Sequence, residues 1–247
     1  GSGGTGVYLV DQAFCRSNLF VALNHPLASK RDVCSIATRA AVDSLTIGDF
    51  ASATGYMSYL LPAQDSSSVD AIELNSELNK LLFMLSSAGL DEDFRDLGNA
   101  IETSIELNKK NGEFDGARFS RDEVIDFYKI YLNSLIALQD KSALSIADRV
   151  FADKKLNFGA SLAWVGNVYF DLGQYDKAKS SYLDELERLT NFEQINIKSR
   201  PTYSLDLYWM RQIAALHCRL GLIAMLTGDP AEAHAAFDRA LAVYQSR

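Results

Sequence analysis

Small and aromatic residues recur in the same frame in two segments of the chain. The first segment, Gly159 to Phe192, carries Leu162, Gly166, Tyr169, Gly173, Tyr175, Ala178 and Tyr182. The second carries Leu220, Gly221, Ala224, Gly228, Ala233, Phe237 and Ala240. Such a repeat is typical of supersecondary units that bury their apolar faces only by stacking. Small residues allow two helices to approach closely, and aromatic residues fill the space beside them. The frame therefore predicts packed α-hairpins.

These positions resemble the tetratricopeptide (TPR) repeat, a helical hairpin of 34 residues. A weaker third copy, Cys34 to Ser67, keeps Ala41, Gly48, Phe50, Ala53 and Met57 in register. The last copy departs from the pattern at Ala224, where an aromatic is usual, and at Pro230, where Tyr is usual. The resemblance implies an all-α superhelix of α-hairpins, a TPR-like right-handed solenoid, that binds other proteins.

Helical periodicity runs through the rest of the chain, and strand patterns of period two are nearly absent. We predict about eleven helices, which pair after the first into five hairpins joined by short turns. The hairpins are expected at about 31–61, 69–108, 121–153, 159–191 and 203–245, within a single TPR-like domain over 7–247. Ser120 and Glu123 have the spacing of a capping box. Residues 1–6 are interpreted as a cloning scar.

Gly166 and Gly221 occupy equivalent positions, yet they are separated by well over one repeat length. We interpret the excess as a linker, Glu193–Thr202, followed by an N-terminal extension of the next helix. This extension is rich in bulky apolar residues, including Tyr208 and Trp209. They are expected either to pack on the preceding hairpin or to form a partner surface.

Composition argues against several classes of protein. The net charge is −8, whereas nucleic-acid binders usually present a basic face, so we expect no nucleic-acid partner. The apolar stretches fall short of the roughly 20 residues that a membrane span requires. The 3 Cys are scattered and form no Cys-x-x-Cys pair. This argues against a zinc site or a disulfide framework, and it suits a reducing, cytoplasmic compartment.

No catalytic pattern is apparent in the sequence. The 3 His (His25, His217 and His234) lack metal-binding spacing. No glycine-rich loop has the spacing that cradles a phosphate. We therefore predict no catalytic residue, no metal site, no cofactor and no enzymatic activity.

Residues of the first helix in each hairpin are expected to line a concave face. The candidates are Asn167, Phe170, Asp171, Leu222 and Met225. Methionine and aromatic side chains suit a partner helix or an extended segment. Leu222 and Met225 belong either to this face or to the core between hairpins. Asn167 matches an Asn of TPR proteins that grip a C-terminal carboxylate, but Ala163 replaces the companion Lys, so that clamp is incomplete.

The favoured function is that of a protein–protein interaction scaffold, a subunit of a larger multiprotein assembly. One alternative is a peptide-binding adaptor or co-chaperone. Another is a vesicle-tethering subunit, since Tyr208-Trp209-Met210-Arg211 loosely resembles the TPR subunits of complexes such as TRAPP. An enzyme would require a cavity with convergent titratable groups. Unless the last helix, which ends with Ala240 to Tyr244, is itself the cap of the array, it leaves an apolar face open, and further repeats or a partner are expected there.

Overall fold

A computed structural model of the chain describes residues 16–25, 28–61, 76–110, 120–153, 156, 162–199 and 207–245, without the side chains of 108–110, 192–199 and 207–208. Within these residues the chain forms eleven α-helices and no strand. The helices are α1 (16–24), α2 (Lys30–Thr46), α3 (Phe50–Met57), α4 (Ser76–Ser87), α5 (Asp91–Lys110), α6 (Arg121–Ala137), α7 (Ala143–Phe151), α8 (Leu162–Asp171), α9 (Tyr175–Ser199), α10 (Leu207–Leu226) and α11 (Pro230–Gln245). The all-α class and the number of helices are confirmed, whereas residues 1–6 lie outside the described residues.

The turns inside the five predicted hairpins share one backbone geometry. Each contains a residue with positive φ: Gly48 (79°), Gly89 (72°), Gln139 (53°), Gly173 (69°) and Gly228 (82°). The amide of the next residue donates to the carbonyl five residues back, as from Gln174 to Tyr169 at 2.8 Å and from Asp140 to Leu135 at 2.9 Å. These bonds form a Schellman C-cap, which favours Gly because a Cβ is strained in this conformation. Gln139 fills a position that Gly holds in the other four hairpins.

Replacing Gln139 by Gly is expected to raise the free energy of unfolding by about 1 kcal/mol, because the left-handed conformation strains a residue that carries a Cβ. The Gln139 side chain is exposed, so little packing is lost. Urea unfolding followed by circular dichroism measures the change. Gly173→Ala is the matched reverse substitution: nothing lies within 4 Å of a Cβ built there, so strain alone should lower stability. An unchanged or lower stability of Gln139→Gly would contradict this account.

Reciprocal side-chain caps begin two of the described helices. At α6 the Ser120 amide donates to Glu123 Oε2 at 3.0 Å, and the Glu123 amide donates to Ser120 Oγ at 3.2 Å. The predicted capping box is therefore confirmed. Ser29 and Asp32 form the same reciprocal pair at α2, with distances of 2.8 and 3.2 Å. The hydrogen bond from the Ser29 hydroxyl holds the pKa of Asp32 below its usual value.

The predicted linker Glu193–Thr202 is wrong over most of its length. Helix α9 continues to Ser199 without interruption. The segment from Glu193 to Ser199 contains neither Gly nor Pro, so nothing in it breaks an established helix. The first strong signal is Pro201, which disfavours helical backbone at the residue before it. The long spacing between the two repeats therefore reflects an extended second helix as well as the connection that follows it.

The chain divides into two compact units, Gly1–Ser134 and Leu135–Arg247. Helix α6 spans the boundary between these two units without a break. The single domain over 7–247 stays a prediction. In the first unit, α2 packs on α3 and α4, α3 packs on α5, and α4 packs on α5. Contact between successive first helices, as between α2 and α4, is what stacked hairpins produce. The apolar stripes of α4 and α5 are buried: Leu78, Leu81, Leu82, Leu85, Phe94, Leu97, Ile101 and Ile105.

Neighbouring helices pack in series in the second unit. Helix α8 contacts α7 and α9, and α10 contacts α9 and α11. The small residues of the repeat frame lie in this core, because Ala178, Ala233 and Ala240 are 0%, 3% and 4% exposed. Each hairpin thus contributes one face to the interface with the next, and the first helices α8 and α10 keep a second face that is only partly covered.

Candidate functional site

Gly166 on α8 lies against the ring of Tyr182 on α9. A Cβ at Gly166 would lie 2.5 Å from Tyr182 Cδ1, so only Gly admits the ring. Tyr182 is fully buried, and its hydroxyl donates to Asn167 Oδ1 at 2.7 Å. Burial raises the pKa of Tyr182 to about 12, so the phenol stays protonated and remains a donor. The close helix approach predicted at Gly166 is confirmed, and Asn167 gains a partner that the sequence did not indicate.

The last hairpin repeats this packing with apolar partners. A Cβ at Gly221 would lie 2.7 Å from Phe237 Cε1. Phe237 has no hydroxyl. The residue after Gly221 is Leu222, whereas the residue after Gly166 in the α8–α9 hairpin is Asn167. The polar pair of one hairpin is thus replaced by an apolar pair in the next. This replacement leaves Leu222 without a hydrogen-bonding role.

A third arrangement of this kind lies in the first unit and was missed from the sequence. A Cβ at Gly98 on α5 would lie 2.6 Å from Tyr131 Cζ. The Tyr131 hydroxyl donates to Asn99 Oδ1 at 3.0 Å, as Tyr182 does to Asn167. Tyr131 also stacks on Phe127, with ring centroids 5.3 Å apart. The Gly-Asn dipeptides at 98–99 and 166–167 were the available signal, but their tyrosines stand at different distances along the chain.

Three of the predicted site residues lie together with Arg219, which α10 supplies. The Arg219 guanidinium lies over the Phe170 ring, 5.5 Å from its centroid. Such a cation–π contact stabilises both side chains. Asn167 and Phe170 are half-buried, and Asp171 is exposed. Besides burial, the charges of Arg219 and Asp171 act on the pKa of Tyr182, in opposite directions. A polar cluster therefore joins α8 to α10.

Leu222 and Met225 extend this cluster along α10. They are 39% and 60% exposed, and Leu226, which the sequence analysis did not single out, is 57% exposed. Spacings of three and four residues place them on the same side of the helix as Arg219. Of the two possibilities for Leu222 and Met225, the structure favours the exposed face over the core. We call Asn167, Phe170, Asp171, Arg219, Leu222, Met225 and Leu226 the α8–α10 face.

The second predicted surface, at the start of α10, is described only in part. The side chain of Tyr208 lies outside the described residues. Trp209 is half-buried, and Met210 is 4% exposed. The neighbouring Met210 thus packs into the fold, as expected for a helix extension that rests on its own domain.

A polar network ties α7 to the hairpin of α8 and α9. Lys177 Nζ donates to Asp148 Oδ1 at 2.6 Å, and the Tyr169 hydroxyl donates to the same oxygen at 3.0 Å. The hydrogen bond from Lys177 is the main reason why the pKa of Asp148 lies below its usual value. Burial, followed by the hydrogen bond to Asp148, raises the pKa of Tyr169. The network fixes the aromatic ring that sits beside the close approach at Gly166.

Asp148→Asn is expected to lower the free energy of unfolding by less than about 1 kcal/mol near neutral pH, since both charged side chains are partly exposed. The folded-state pKa of Asp148 lies below its usual value. Its stabilising contribution is therefore present above that value and is lost as the pH falls through the lower folded-state pKa. Urea unfolding at about pH 7 and about pH 2 should show a difference between wild type and variant only at the higher pH. An equal difference at both would contradict the assignment.

Groups that would support catalysis or metal binding are sparse in the described part of the chain. Among these residues, no three His, Cys, Asp or Glu side chains are placed to hold a metal ion. No described helix is long and apolar enough to cross a membrane. Burial lowers the pKa of His217, while its neighbour Cys218 is exposed. The two adjacent side chains therefore lie in different environments, as their position on one helix predicts.

Comparison with known proteins supports the repeat interpretation. Two family models, both described as tetratricopeptide repeat, match residues 160–184 and 214–246. The first segment contains Gly166 and Tyr182, and the second contains Gly221 and Phe237. No curated protein sequence matches the chain.

Eleven chains of solved structures match this one. Among them is BtubC (BKLC) from P. vanneervenii, with 13% sequence identity, a TM-score of 0.50, and coverage of 98% of this chain and 90% of that chain. At this identity the likeness concerns the fold alone. The matched repeats, the all-helical architecture and the packing of glycine against aromatic rings agree: the chain is a tetratricopeptide-type repeat protein with a sparse, divergent array.

Proposed function

We propose that this protein is a scaffold subunit of a larger assembly and holds a helix of a partner protein on the α8–α10 face. Tetratricopeptide repeats suggest protein–protein interaction in general. The observation that carries the specific proposal is the exposure of Leu222, Met225 and Leu226, at 39%, 60% and 57%, along one side of α10. Contiguous exposed apolar side chains on a folded protein commonly mark an interaction site.

The composition of the face suits a helical partner better than an extended one. Its apolar residues follow a helical stripe, and two helices pack when such stripes interdigitate. Met225 is flexible and adapts to irregular partner surfaces. Arg219 and Asp171 present opposite charges beside the stripe, where they would favour one orientation of a partner helix over its reverse. An extended segment remains the alternative occupant.

The proposal also covers chemistry and compartment. The role is binding and not catalysis, and the partner is a protein and not a nucleic acid, in keeping with a net charge of −8. We place the protein inside the cell, in the cytoplasm. Cys34 and Cys218 are free thiols in the fold, which suits a reducing compartment.

Photo-crosslinking tests the proposal. A benzoylphenylalanine in place of Met225 is expected to crosslink one defined protein in a native extract, because it stands in the centre of the apolar stripe. The same group in place of Leu183, which is 47% exposed on α9, serves as the matched control. Capture of the same protein with equal yield from both positions, or of none from position 225, would contradict the proposal.

A further inference from the structure

We propose that a groove between α4 and α6, in the first unit, binds an extended segment of a partner protein that carries an apolar side chain flanked by carboxylates. The groove is an open cavity of about 410 Å³. Its lining includes Asn79, Lys80 and Phe83 from α4, and Asp126, Lys129 and Ile130 from α6. This inference goes beyond the proposed function, which concerns residues of the second unit only.

The apolar part of the groove is available to a ligand. Phe83 is 58% exposed, although it follows a stripe of fully buried leucines on the same helix. Ile130 is half-buried on the opposite wall. The volume lies in the range of about 300–1,000 Å³ that is typical of binding sites. An apolar side chain inserted between Phe83 and Ile130 would remove both from water.

Asn79 supplies a buried hydrogen-bond acceptor. Its side chain lines the groove and is 7% exposed, and Oδ1 accepts no hydrogen bond from any residue that the structure describes. A buried carbonyl oxygen without a donor is unfavourable, and native proteins rarely keep one. A backbone N–H of an extended segment is a suitable donor because it makes no hydrogen bond within that segment. This observation favours an extended ligand over a helical one.

The charges of the groove select an acidic ligand. Lys80 is exposed on one wall and Lys129 is half-buried on the other. Asp126 is the single acidic residue of the lining and lies 3.3 Å from Lys129. The lining therefore carries a net positive charge within a chain of net charge −8. Carboxylates on the ligand would meet the two lysines, and a basic ligand would be repelled.

Fluorescence anisotropy with the full chain tests the proposal. The probe is a labelled ten-residue peptide with one central leucine between aspartates. Three further probes replace the leucine by serine, replace the aspartates by lysines, or substitute a ten-nucleotide thymidine DNA. We expect the first probe to bind at least about tenfold more tightly than the others, and its binding to weaken as salt is added. Equal binding of the basic peptide or of the DNA would overturn the proposal, as would no binding of the first probe.

Variants locate the binding in the groove. Lys80→Glu and Lys129→Glu are each expected to weaken the first probe by about tenfold. Lys141→Glu, which makes the same charge change at an exposed lysine outside the groove, is expected to leave binding unchanged.

Asn79→Leu should weaken binding of the first peptide while maintaining or raising the thermal midpoint of the protein, because it removes a buried acceptor that has no donor. The same affinity in Lys80→Glu and Lys141→Glu, or in wild type and Asn79→Leu, would overturn the assignment. Substitutions on the α8–α10 face should not alter the affinity for the peptide. Failure of the proposed function, which concerns that face, can therefore be distinguished from failure of this proposal.

Discussion

Gly166→Ala is expected to lower the free energy of unfolding by about 2–3 kcal/mol, although it adds a single methyl group. That methyl would lie 2.5 Å from Tyr182 Cδ1. The ring cannot move aside, because it is fully buried and its hydroxyl is held by Asn167 at 2.7 Å. Helix α8 and helix α9 would have to separate, which opens space along the whole hairpin. Urea unfolding followed by circular dichroism measures the loss.

Gly55→Ala provides the matched control within α3. Nothing lies within 4 Å of a Cβ at Gly55, so alanine there should be neutral or stabilise the helix by up to about 1 kcal/mol. A double variant gives the second control: Tyr182→Leu removes the ring, so Gly166→Ala should cost less in that background than in the wild type. Equal losses in both backgrounds would show that the ring does not limit the approach.

Arg188→Ala is expected to lower the free energy of unfolding by about 2 kcal/mol, which is large for a partly exposed arginine. Its partner Glu185 has a side chain that is only 7% exposed. Arg188 donates twice to it, from Nε at 2.7 Å and from Nη2 at 2.6 Å. Removing the guanidinium leaves a buried carboxylate without its counter-charge, and this is more unfavourable than losing a surface ion pair. Urea unfolding measures this loss as well.

Two further substitutions serve as controls for Arg188→Ala. Lys179→Ala removes an exposed cation from the same helix and is expected to change stability by less than about 0.5 kcal/mol. Arg188→Lys keeps the charge but cannot form the bidentate pair with Glu185, so its stability should lie between those of Arg188→Ala and the wild type. A loss in Arg188→Ala no larger than that in Lys179→Ala would contradict the role assigned to the pair.

Sequence reasoning was most successful where the physical constraint is local. Gly48, Gly89, Gly173 and Gly228 mark the hairpin turns because left-handed backbone is strained for other residues. The repeat frame predicted a close helix approach at Gly166 with aromatic rings beside it, because Gly166 and Tyr182 belong to one hairpin with a short turn. Gly98 and Tyr131 make a similar contact, but they lie on helices joined through residues 111–119, so no fixed spacing signals their approach.

The candidate site was harder to predict than the hairpins. Helical periodicity assigns Leu222 and Met225 to one side of α10, but it does not say whether another helix covers that side. The sequence alone places Asn167 on the groove surface, because its hydrogen bond to Tyr182 becomes visible only with the structure of both helices. The α4–α6 groove was missed because Asn79 and Lys129 have no sequence pattern in common. The extension of α9 to Ser199 was missed because a polar segment without Gly or Pro is compatible with either helix or linker.

Quantitative affinity purification from a native extract tests most directly whether the α8–α10 face is the binding surface. The bait carries Leu222→Glu and Met225→Glu, both at exposed positions, and the control carries Leu183→Glu on α9. We predict that the proteins recovered with the wild type are also recovered with the Leu183→Glu control. With the variant that carries Leu222→Glu and Met225→Glu, their recovery should fall at least about tenfold. Recovery of the same proteins in the same amounts with both variants would contradict the account.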